Sequence, residues 1–193
     1  METQQRTERE TVLTEQYICH LLAMAVSRYF LVTMATSSFI IRPAKSGDIP
    51  GIIQLLIEIR SFHHALRPDL FEGGNTTKYD AVDLEELLKR PDCYLYVATI
   101  QGQVVGHLIA FIHESETHRC GGTFKYLYVD DVCVAKKWQR HGIGRALMAQ
   151  AEKVAKKSMA NSIRLNVYHG NPAEDFYAEL GYSPLSTMLE KMI

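Results

Sequence analysis

The stretch that most constrains the fold lies in the second half of the chain. Residues 124–135, "FKYLYVDDVCVA", are rich in aromatic and β-branched residues and predict a long strand. The basic segment "KKWQRHGIG" then turns at glycines, and "IGRALMAQAEKVAKKS" repeats apolar residues at helical spacing. Glycine lets a backbone approach a ligand closely, and the free amides at a helix start donate to anionic oxygens. This order of strand, basic loop and helix predicts a binding site for a phosphate group.

Strand and helix patterns alternate along the rest of the chain from Ser38 onward. The dipeptide Gln101-Gly102 between two apolar runs predicts a hairpin, and "NPAEDFYAELGY" has the cap, early proline and final glycine of a short helix. Residues 61–79 predict a long loop or a broken helix. The predicted elements are a strand at 38–44, helices at 46–60 and 80–90, strands at 93–100, 103–113 and 124–135, a helix at 143–158, a strand at 162–168, a helix at 171–181 and a strand at 186–193. Together they predict a single mixed α/β domain.

Composition excludes several classes of function. The formal net charge of -1 argues against a nucleic-acid binder that is held by a large basic field. The four cysteines form no CxxC pair, and the chain has no HExxH sequence. We therefore expect reduced thiols in a cytoplasmic protein and no metal site.

The beginning of the chain differs from the rest. We expect residues 1–37 to be a loosely ordered extension and residues 38–193 to be the folded domain. The apolar run "YICHLLAMAVSRYFLVTMA" is interrupted by His20 and Arg28, which argues against stable membrane insertion. The acidic residues before it are untypical of a signal peptide or a mitochondrial presequence. A helix lying on a membrane surface is the alternative.

The loop at residues 139–144 resembles a known cofactor motif. Its sequence, "QRHGIG", matches the Q/R-x-x-G-x-G/A pattern of the GNAT superfamily of acyl-coenzyme A-dependent N-acetyltransferases. "IIRPAKSGDIPGIIQLL" and "LNVYHGNPAEDFYAELGYSP" are similar to that family's opening and closing segments. The resemblance covers residues 38–193 and implies a GNAT-type domain, with a splayed, mostly antiparallel sheet between helices, and acetyl-coenzyme A as co-substrate. A dinucleotide-binding G-x-G-x-x-G motif does not fit, because Leu147 takes the place of its third glycine.

The resemblance also implies a cofactor surface. In this family the strand before the loop pairs its backbone with the pantetheine arm, and the loop amides hold the pyrophosphate. The implied residues are Val132, Cys133, Val134, Gln139, Arg140, His141, Gly142, Ile143, Gly144, Arg145 and Asn171. Gln139 and Arg140 depart from the commonest motif, which has arginine and glycine there. The Cys133 side chain is expected to pack in the core, because direct transfer needs no enzyme nucleophile.

Candidate catalytic residues lie on the same strand and in the closing segment. Regular alternation predicts one shared face for Tyr126, Tyr128, Asp130, Val132 and Val134. An acid just before the pantetheine positions often serves this family as general base, which implies Asp130. Asp131 is the alternative if a bulge exchanges the two acids, and neither acid is the third option. Tyr177 takes the place of a tyrosine that assists the departing thiolate, with core packing as its alternative.

The acceptor pocket of this family usually lies between the first two helices. We therefore expect His63, His64, Tyr79 and Asp131 to bind the substrate, although both histidines also suit an exposed loop. The predicted function is transfer of the acetyl group of acetyl-coenzyme A to a primary amine of a small molecule, such as a polyamine or an aminosugar. The alternatives are a protein or peptide acceptor and a non-catalytic acyl-coenzyme A sensor. A homodimer is left open, since the final strand could pair across a partner.

Overall fold

The computed structural model describes residues 38–116 and 123–191. The prediction of a loosely ordered extension at residues 1–37 lies outside them. The strands are β1 (Ile40–Pro43), β2 (Cys93–Ile100), β3 (Gln103–Glu116), β4 (Thr123–Val134) and β5 (Ser162–Leu165). The helices are α1 (Ile49–Leu66), α2 (Ala81–Leu87), α3 (Ile143–Lys157) and α4 (Ala173–Glu179), and short 3-10 turns occupy Ser46–Asp48 and Lys136–Trp138.

The five strands form one sheet in sequence order, from β1 to β5. Neighbouring strands are antiparallel except β4 and β5, which are parallel. The predicted hairpin joins β2 to β3, with φ of 49° at Gln101 and 79° at Gly102. Positive φ at both central residues is typical of a turn that follows the right-handed twist of the strands. The prediction of a single mixed α/β domain with a mostly antiparallel sheet is confirmed.

The sheet is splayed between β4 and β5. The two strands pair only where Tyr126–Val129 faces Ser162–Leu165. Beyond Val129, β4 continues to Val134 beside β3 alone. A fork therefore opens at Asp130, on the side where the chain leads into the glycine loop.

A β-bulge at the fork changes which side chains share a face. Ile109 of β3 pairs with Asp131, whereas the next residue, Ala110, pairs with Val129, so Asp130 is the extra residue. Val132 then packs with the core beside α3, on the same face as Val129. The predicted shared face is wrong for both valines, because Val132 and Val134 lie on the side of α3. The side chains on the opposite face, toward α1 and α2, are those of Tyr126, Tyr128, Asp130, Asp131 and Cys133. A bulge produces this change because one residue is added without a partner.

Each face of the sheet carries its own core. The amphipathic helix α3 buries Leu147, Met148 and Ala151 against Leu108 and Leu127 of the sheet. On the opposite face, α1 and α2 bury a second apolar set, which comprises Ile49, Ile52, Leu56, Leu84 and Leu87 with Val97, Ile109 and Phe111. The sheet thus lies between helices, and β4 contributes side chains to both faces.

Besides smaller shifts, such as the end of β5 at Leu165 instead of residue 168, one helix end and one predicted strand differ from the sequence prediction. Helix α1 continues past Arg60 to Leu66, because Pro68 supplies the first strong stop signal and the residue before a proline disfavours helical geometry. The predicted final strand at residues 186–193 is absent from the described residues, which have no regular secondary structure from residue 183 to Lys191. Its apolar side chains have nothing to pack against there, since Met188 is 97% exposed and Leu189 is 89% exposed.

Candidate active site

The glycine loop forms the start of α3. Gly142 caps the helix with φ of 81°, and Arg140 also has a positive φ, of 66°. The amide of Ala146 donates to the carbonyl of Gly142 over 3.0 Å, so the amides of residues 143–145 come before the first intrahelical bond. These amides and the helix dipole favour an anion at this end of α3.

Side chains inside the loop hold its shape. Gln139 Nε2 donates to the carbonyl of Val134 over 3.1 Å, which ties the loop back to the end of β4. His141 Nδ1 lies 2.8 Å from the carbonyl of Gln139, and its ring packs edge-on against Trp138. Gln139 therefore contributes to the conformation of the loop. Arg140 is exposed, and Arg145 Nη2 donates to Glu179 Oε2 of α4 over 3.3 Å on the surface.

The fork and the loop together fit a long thiol ester with phosphate groups at its far end. The edge of β4 from Asp130 to Val134 extends beyond its pairing with β5 and leads directly to the helix start. Lys136, Lys137 and Arg145 add positive charge around the amides. Asn171 does not lie in the loop: its Oδ1 accepts from the amide of Ala173, the first residue of α4, over 2.9 Å. The N-cap position itself is taken by Pro172, one residue later than the sequence predicted.

The two adjacent acids of β4 have different partners. Asp131 Oδ1 lies 2.7 Å from Nε2 of His107, a β3 residue with 0% exposure. Asp130 uses both oxygens, because Lys78 Nζ donates to Oδ1 and the Tyr79 hydroxyl donates to Oδ2, each over 2.7 Å. Among the described residues, Asp131 Oδ2 has no hydrogen-bond partner, so a ligand can bind this oxygen without displacing a side chain.

His107 was not singled out from the sequence. Its Nδ1 is buried and has no hydrogen-bond partner among the described residues. Since Nε2 faces a carboxylate, the ring donates its Nε2–H to Asp131, which fixes the orientation of that carboxyl. The only sequence signal was a histidine in an otherwise apolar strand, and the pairing with Asp131 depends on the strand register.

The charge of Asp131 reaches two titratable groups across the fork. Half-burial lowers the pKa of His63, and the nearby Asp131 carboxylate opposes that shift. Burial, and then Asp131, raise the pKa of Tyr177 to about 12. At neutral pH the His63 ring is therefore neutral and the Tyr177 hydroxyl keeps its proton.

The two candidate histidines have separate surroundings. The His63 ring lies 5.0 Å from Phe71 and 6.3 Å from Tyr168 between ring centroids, on the side of the fork. His64 Nδ1 lies 2.6 Å from the carbonyl of Phe71, so His64 fastens the segment after α1. The structure brings His63, Tyr79 and Asp131 to one region and gives His64 a structural contact.

Cys133 is buried, as the sequence predicted, and its Sγ donates to the carbonyl of Leu55 over 3.6 Å. Burial raises the pKa of the thiol, which keeps it protonated and a poor nucleophile.

The described ranges offer neither a metal-binding cluster nor a helix that could span a membrane. Residues 38–116 and 123–191 include no cluster of three or more His, Cys, Asp or Glu side chains arranged to bind a metal ion. Over the same ranges, no helix has the length and apolar character needed to cross a membrane.

A sheet that forks at a β-bulge and opens onto a glycine-capped helix start is the architecture of the GNAT acetyltransferases. The family profile described as "Acetyltransferase (GNAT) family" matches residues 59–182, and the chain belongs to that family. The range begins inside α1 and ends just after α4, so it includes the fork, the glycine loop and both acids.

Known proteins resemble both the sequence and the fold. The L-amino acid N-acetyltransferase AaaT of Escherichia coli (strain K12) is 27% identical over 150 residues, which are 76% of this chain and 83% of that protein. A variant of the BH1408 protein from Bacillus halodurans superposes with a TM-score of 0.75 at 20% identity, over 80% of this chain and 99% of its own. The aminoglycoside acetyltransferase meta-AAC0020 from an uncultured soil metagenomic sample, in complex with trehalose, has a TM-score of 0.60 at 23% identity, over 80% and 95%.

Proposed function

We propose that this protein transfers the acetyl group of acetyl-coenzyme A to a primary amine of a small molecule. The observation that supports this most is the fork at Asp130–Val134, with a phosphate-binding helix start at one end and two carboxylates at the other. The relatives named above include an enzyme described as acting on L-amino acids and one described as an aminoglycoside acetyltransferase, both small-molecule amines. A cytosolic co-substrate and the free thiols of Cys93 and Cys133 support a cytoplasmic location.

The residues of the fork suit acetyl-coenzyme A in two ways. The amides of residues 143–145, with Arg140 and Arg145, would bind the pyrophosphate, and the edge of β4 at Val132 and Val134 would accompany the pantetheine arm. When bound, the co-substrate supplies a thioester carbonyl that an amine can attack directly. No thiol of this chain is needed for that step, which agrees with the buried position of Cys133.

Asp131 is the proton acceptor that the contacts favour, although its position in the sequence ranked it second to Asp130. A primary amine with a pKa near 10.4 is only about one part in 10³ neutral at pH 7, so a base nearby is useful. Asp131 keeps one oxygen available, and His107 orients the carboxyl. Asp130 is already bonded to Lys78 and Tyr79, which suits a role in attracting the positively charged form of the acceptor.

Tyr177 is proposed to return a proton to the departing thiolate. Its pKa is raised to about 12 by burial and by Asp131, so the hydroxyl is protonated over the whole neutral range. The ring is also packed against Phe176 and Tyr182, which fixes its direction. Packing and proton donation are thus compatible at this residue.

Amide substitutions at the two acids test this assignment. We expect Asp131→Asn to lower kcat by roughly 10²–10⁴-fold, because the amide cannot accept the proton. Asp130→Asn should mainly raise the KM for the amine, because it removes a counter-charge. Thiol release from acetyl-coenzyme A, measured with a panel of amines, gives both constants. If Asp130→Asn lost the greater share of kcat, the two roles would have to be exchanged.

The same assay distinguishes a small-molecule acetyltransferase from the two alternatives, an enzyme that acts on proteins or peptides and a non-catalytic acyl-coenzyme A sensor. A protein-directed enzyme would release thiol only with peptides, and a sensor would bind acetyl-coenzyme A yet release thiol with no amine. Acetylation of a free amine by the wild-type chain is the result expected here.

A further inference from the structure

A cleft lies beside Asp130 on the face of the sheet that α1 and α2 partly cover. Its volume is about 410 Å³, within the range that small-molecule sites usually have. The residues that line it are Arg90, Phe111, His113, Tyr126, Tyr128 and Asp130. Four of these six carry aromatic rings, and Asp130 is the single acid.

The rings of the cleft form a continuous aromatic wall. His113 stacks on Tyr126, with ring centroids 5.3 Å apart and planes at 14°. Tyr128 meets His113 edge-on at 5.9 Å, and Phe111 does so at 6.4 Å. Rings that are held by such contacts present apolar edges at little cost in side-chain entropy, which suits edge-on contact with an aromatic ligand.

Cations flank the wall on both sides. The Arg164 guanidinium lies 4.2 Å from the centroid of Tyr126, and the Arg90 guanidinium lies 5.2 Å from that of Phe111. Arg90 is already paired with Asp92 over 2.6 Å, so Asp130 and Asp131 leave one net negative charge against Arg164, and a polyamine or an aminoglycoside would exceed it. The charges therefore favour a ligand with one ammonium group.

Asp130, which lines the cleft, already binds a primary ammonium group of the chain itself. Lys78 Nζ lies 2.7 Å from Asp130 Oδ1 and 5.5 Å from the centroid of Tyr79. The Lys78 side chain is 51% exposed, so an incoming amine can displace it without opening the core. A carboxylate beside an aromatic face is a suitable position for an alkylammonium group.

We propose that this cleft is the acceptor site and that the acceptor is a primary monoamine carrying an aromatic ring. The proposal rests on the function proposed above and names the substrate class of the same site. The ammonium group lies at Asp130 in place of Lys78, next to the available oxygen of Asp131, and the ring lies against His113, Tyr126 and Tyr128. The ammonium group first gives one proton to Asp131, and the neutral nitrogen then attacks the thioester carbon. The carbon–sulfur bond breaks, the thiolate takes a proton from Tyr177, and the second nitrogen proton returns to Tyr177 through solvent.

Binding of 2-phenylethylamine to the full chain, measured by titration calorimetry, tests the cleft without requiring turnover. Ethanolamine serves as an amine without a ring, and spermidine and glucosamine represent polycations and sugars. We expect 2-phenylethylamine to bind roughly tenfold or more tightly than any of the three. Equal or tighter binding of spermidine or glucosamine would overturn the proposal.

Substitutions at Tyr126 locate the binding. Tyr126→Leu should weaken 2-phenylethylamine roughly tenfold and leave ethanolamine unchanged, whereas Tyr126→Phe keeps the ring and should bind as the wild type does. Tyr94→Leu makes the same change on the opposite face of the sheet and should have no effect on amine binding. Lys78→Met should tighten binding, because the competing ammonium is gone.

The outcomes separate this inference from the proposed function. An aromatic amine that binds at Tyr126 but releases no thiol, in a chain that binds acetyl-coenzyme A, would leave the cleft assigned and refute the transferase. Thiol release with spermidine or glucosamine, unaffected by Tyr126→Leu, would support the transferase and refute the aromatic acceptor.

Discussion

Arg140 stands at a position of the loop where its backbone favours glycine. Its φ of 66° is left-handed, a conformation that costs a residue with a Cβ about 1–2 kcal/mol. We predict that Arg140→Gly raises the free energy of unfolding by up to about 1 kcal/mol, since greater freedom of glycine in the unfolded chain offsets part of the gain. Urea unfolding of the two proteins measures the difference.

Arg140→Ala is the matched control, because it removes the charge and keeps the Cβ. It should leave the free energy of unfolding within about 0.5 kcal/mol of the wild type. Equal stabilisation by alanine and glycine would mean that repulsion from the neighbouring lysines, and not backbone strain, destabilises the loop. A glycine-specific gain would support a binding role for the arginine, since this side chain is then present at a cost in stability.

At the scale of the element, local signals predicted the helices and the hairpin well. Asp80 accepts from the amides of Val82 and Asp83 and caps α2, close to the helix start at residue 80 that the sequence predicted. The Gln101-Gly102 turn and the amphipathic pattern of α3 likewise depend only on residues close together in the chain. These features were predictable because each is stabilised by its own neighbours.

The candidate site depends on a contact that no local pattern contains. The bulge in β4 exists because Ile109 and Ala110 of β3 set the register, and it changes the face of every residue after Asp130. The sequence therefore predicted the strand that carries both acids, but assigned the wrong face to Val132 and Val134. For the same reason the sequence did not identify His107 as a site residue. It is 24 residues from Asp131 in the chain and contacts it only because β3 pairs with β4.

The packing of β3 against β4 and α3 leaves no room at Gly106. A Cβ there would lie 2.9 Å from the Cys133 carbonyl oxygen and 3.3 Å from Leu147 Cδ1. We predict that Gly106→Ala lowers the free energy of unfolding by about 1–3 kcal/mol, because a backbone carbonyl cannot easily move aside. Thermal and urea unfolding measure the loss.

Gly47→Ala is the control for that substitution. A Cβ at Gly47 has no heavy atom within 4 Å, so we expect a change of at most about 0.5 kcal/mol. If Gly106→Ala were as stable as the control, β3 and β4 would have to separate at the fork more easily than their close packing indicates.

At the scale of the whole molecule, one nearly buried ion pair joins the first strand to the first helix. Arg42 Nη1 and Nη2 donate to the two oxygens of Asp48 over 2.6 and 2.7 Å, and the amide of Lys45 donates to Asp48 Oδ2 over 3.0 Å. Asp48 is 4% exposed. The hydrogen bonds from Arg42 lower the pKa of this carboxyl most, and burial opposes them in part.

The direction of that pKa shift makes stability depend on pH in a defined way. Because the pKa of Asp48 is lower in the folded chain than its ordinary value of 3.8, the ion pair stabilises the fold above about pH 4. This contribution is lost as the pH falls through the folded pKa and the carboxyl gains a proton. We predict that Asp48→Asn lowers the free energy of unfolding by about 2–3 kcal/mol at pH 7, since Arg42 and the amide of Lys45 lose their charged acceptor.

The difference between the two proteins should then shrink in acid, because a protonated aspartate and an asparagine carry the same charge. Urea unfolding at pH 7, 5 and 3 follows this difference while other carboxyls titrate equally in both proteins. A difference that stays constant down to pH 3 would mean that shape and hydrogen bonding at Asp48, rather than its charge, join β1 to α1. If the difference in free energy of unfolding becomes smaller in acid, protonation of the Asp48 carboxyl explains the acid sensitivity of the contact between Arg42 and Asp48.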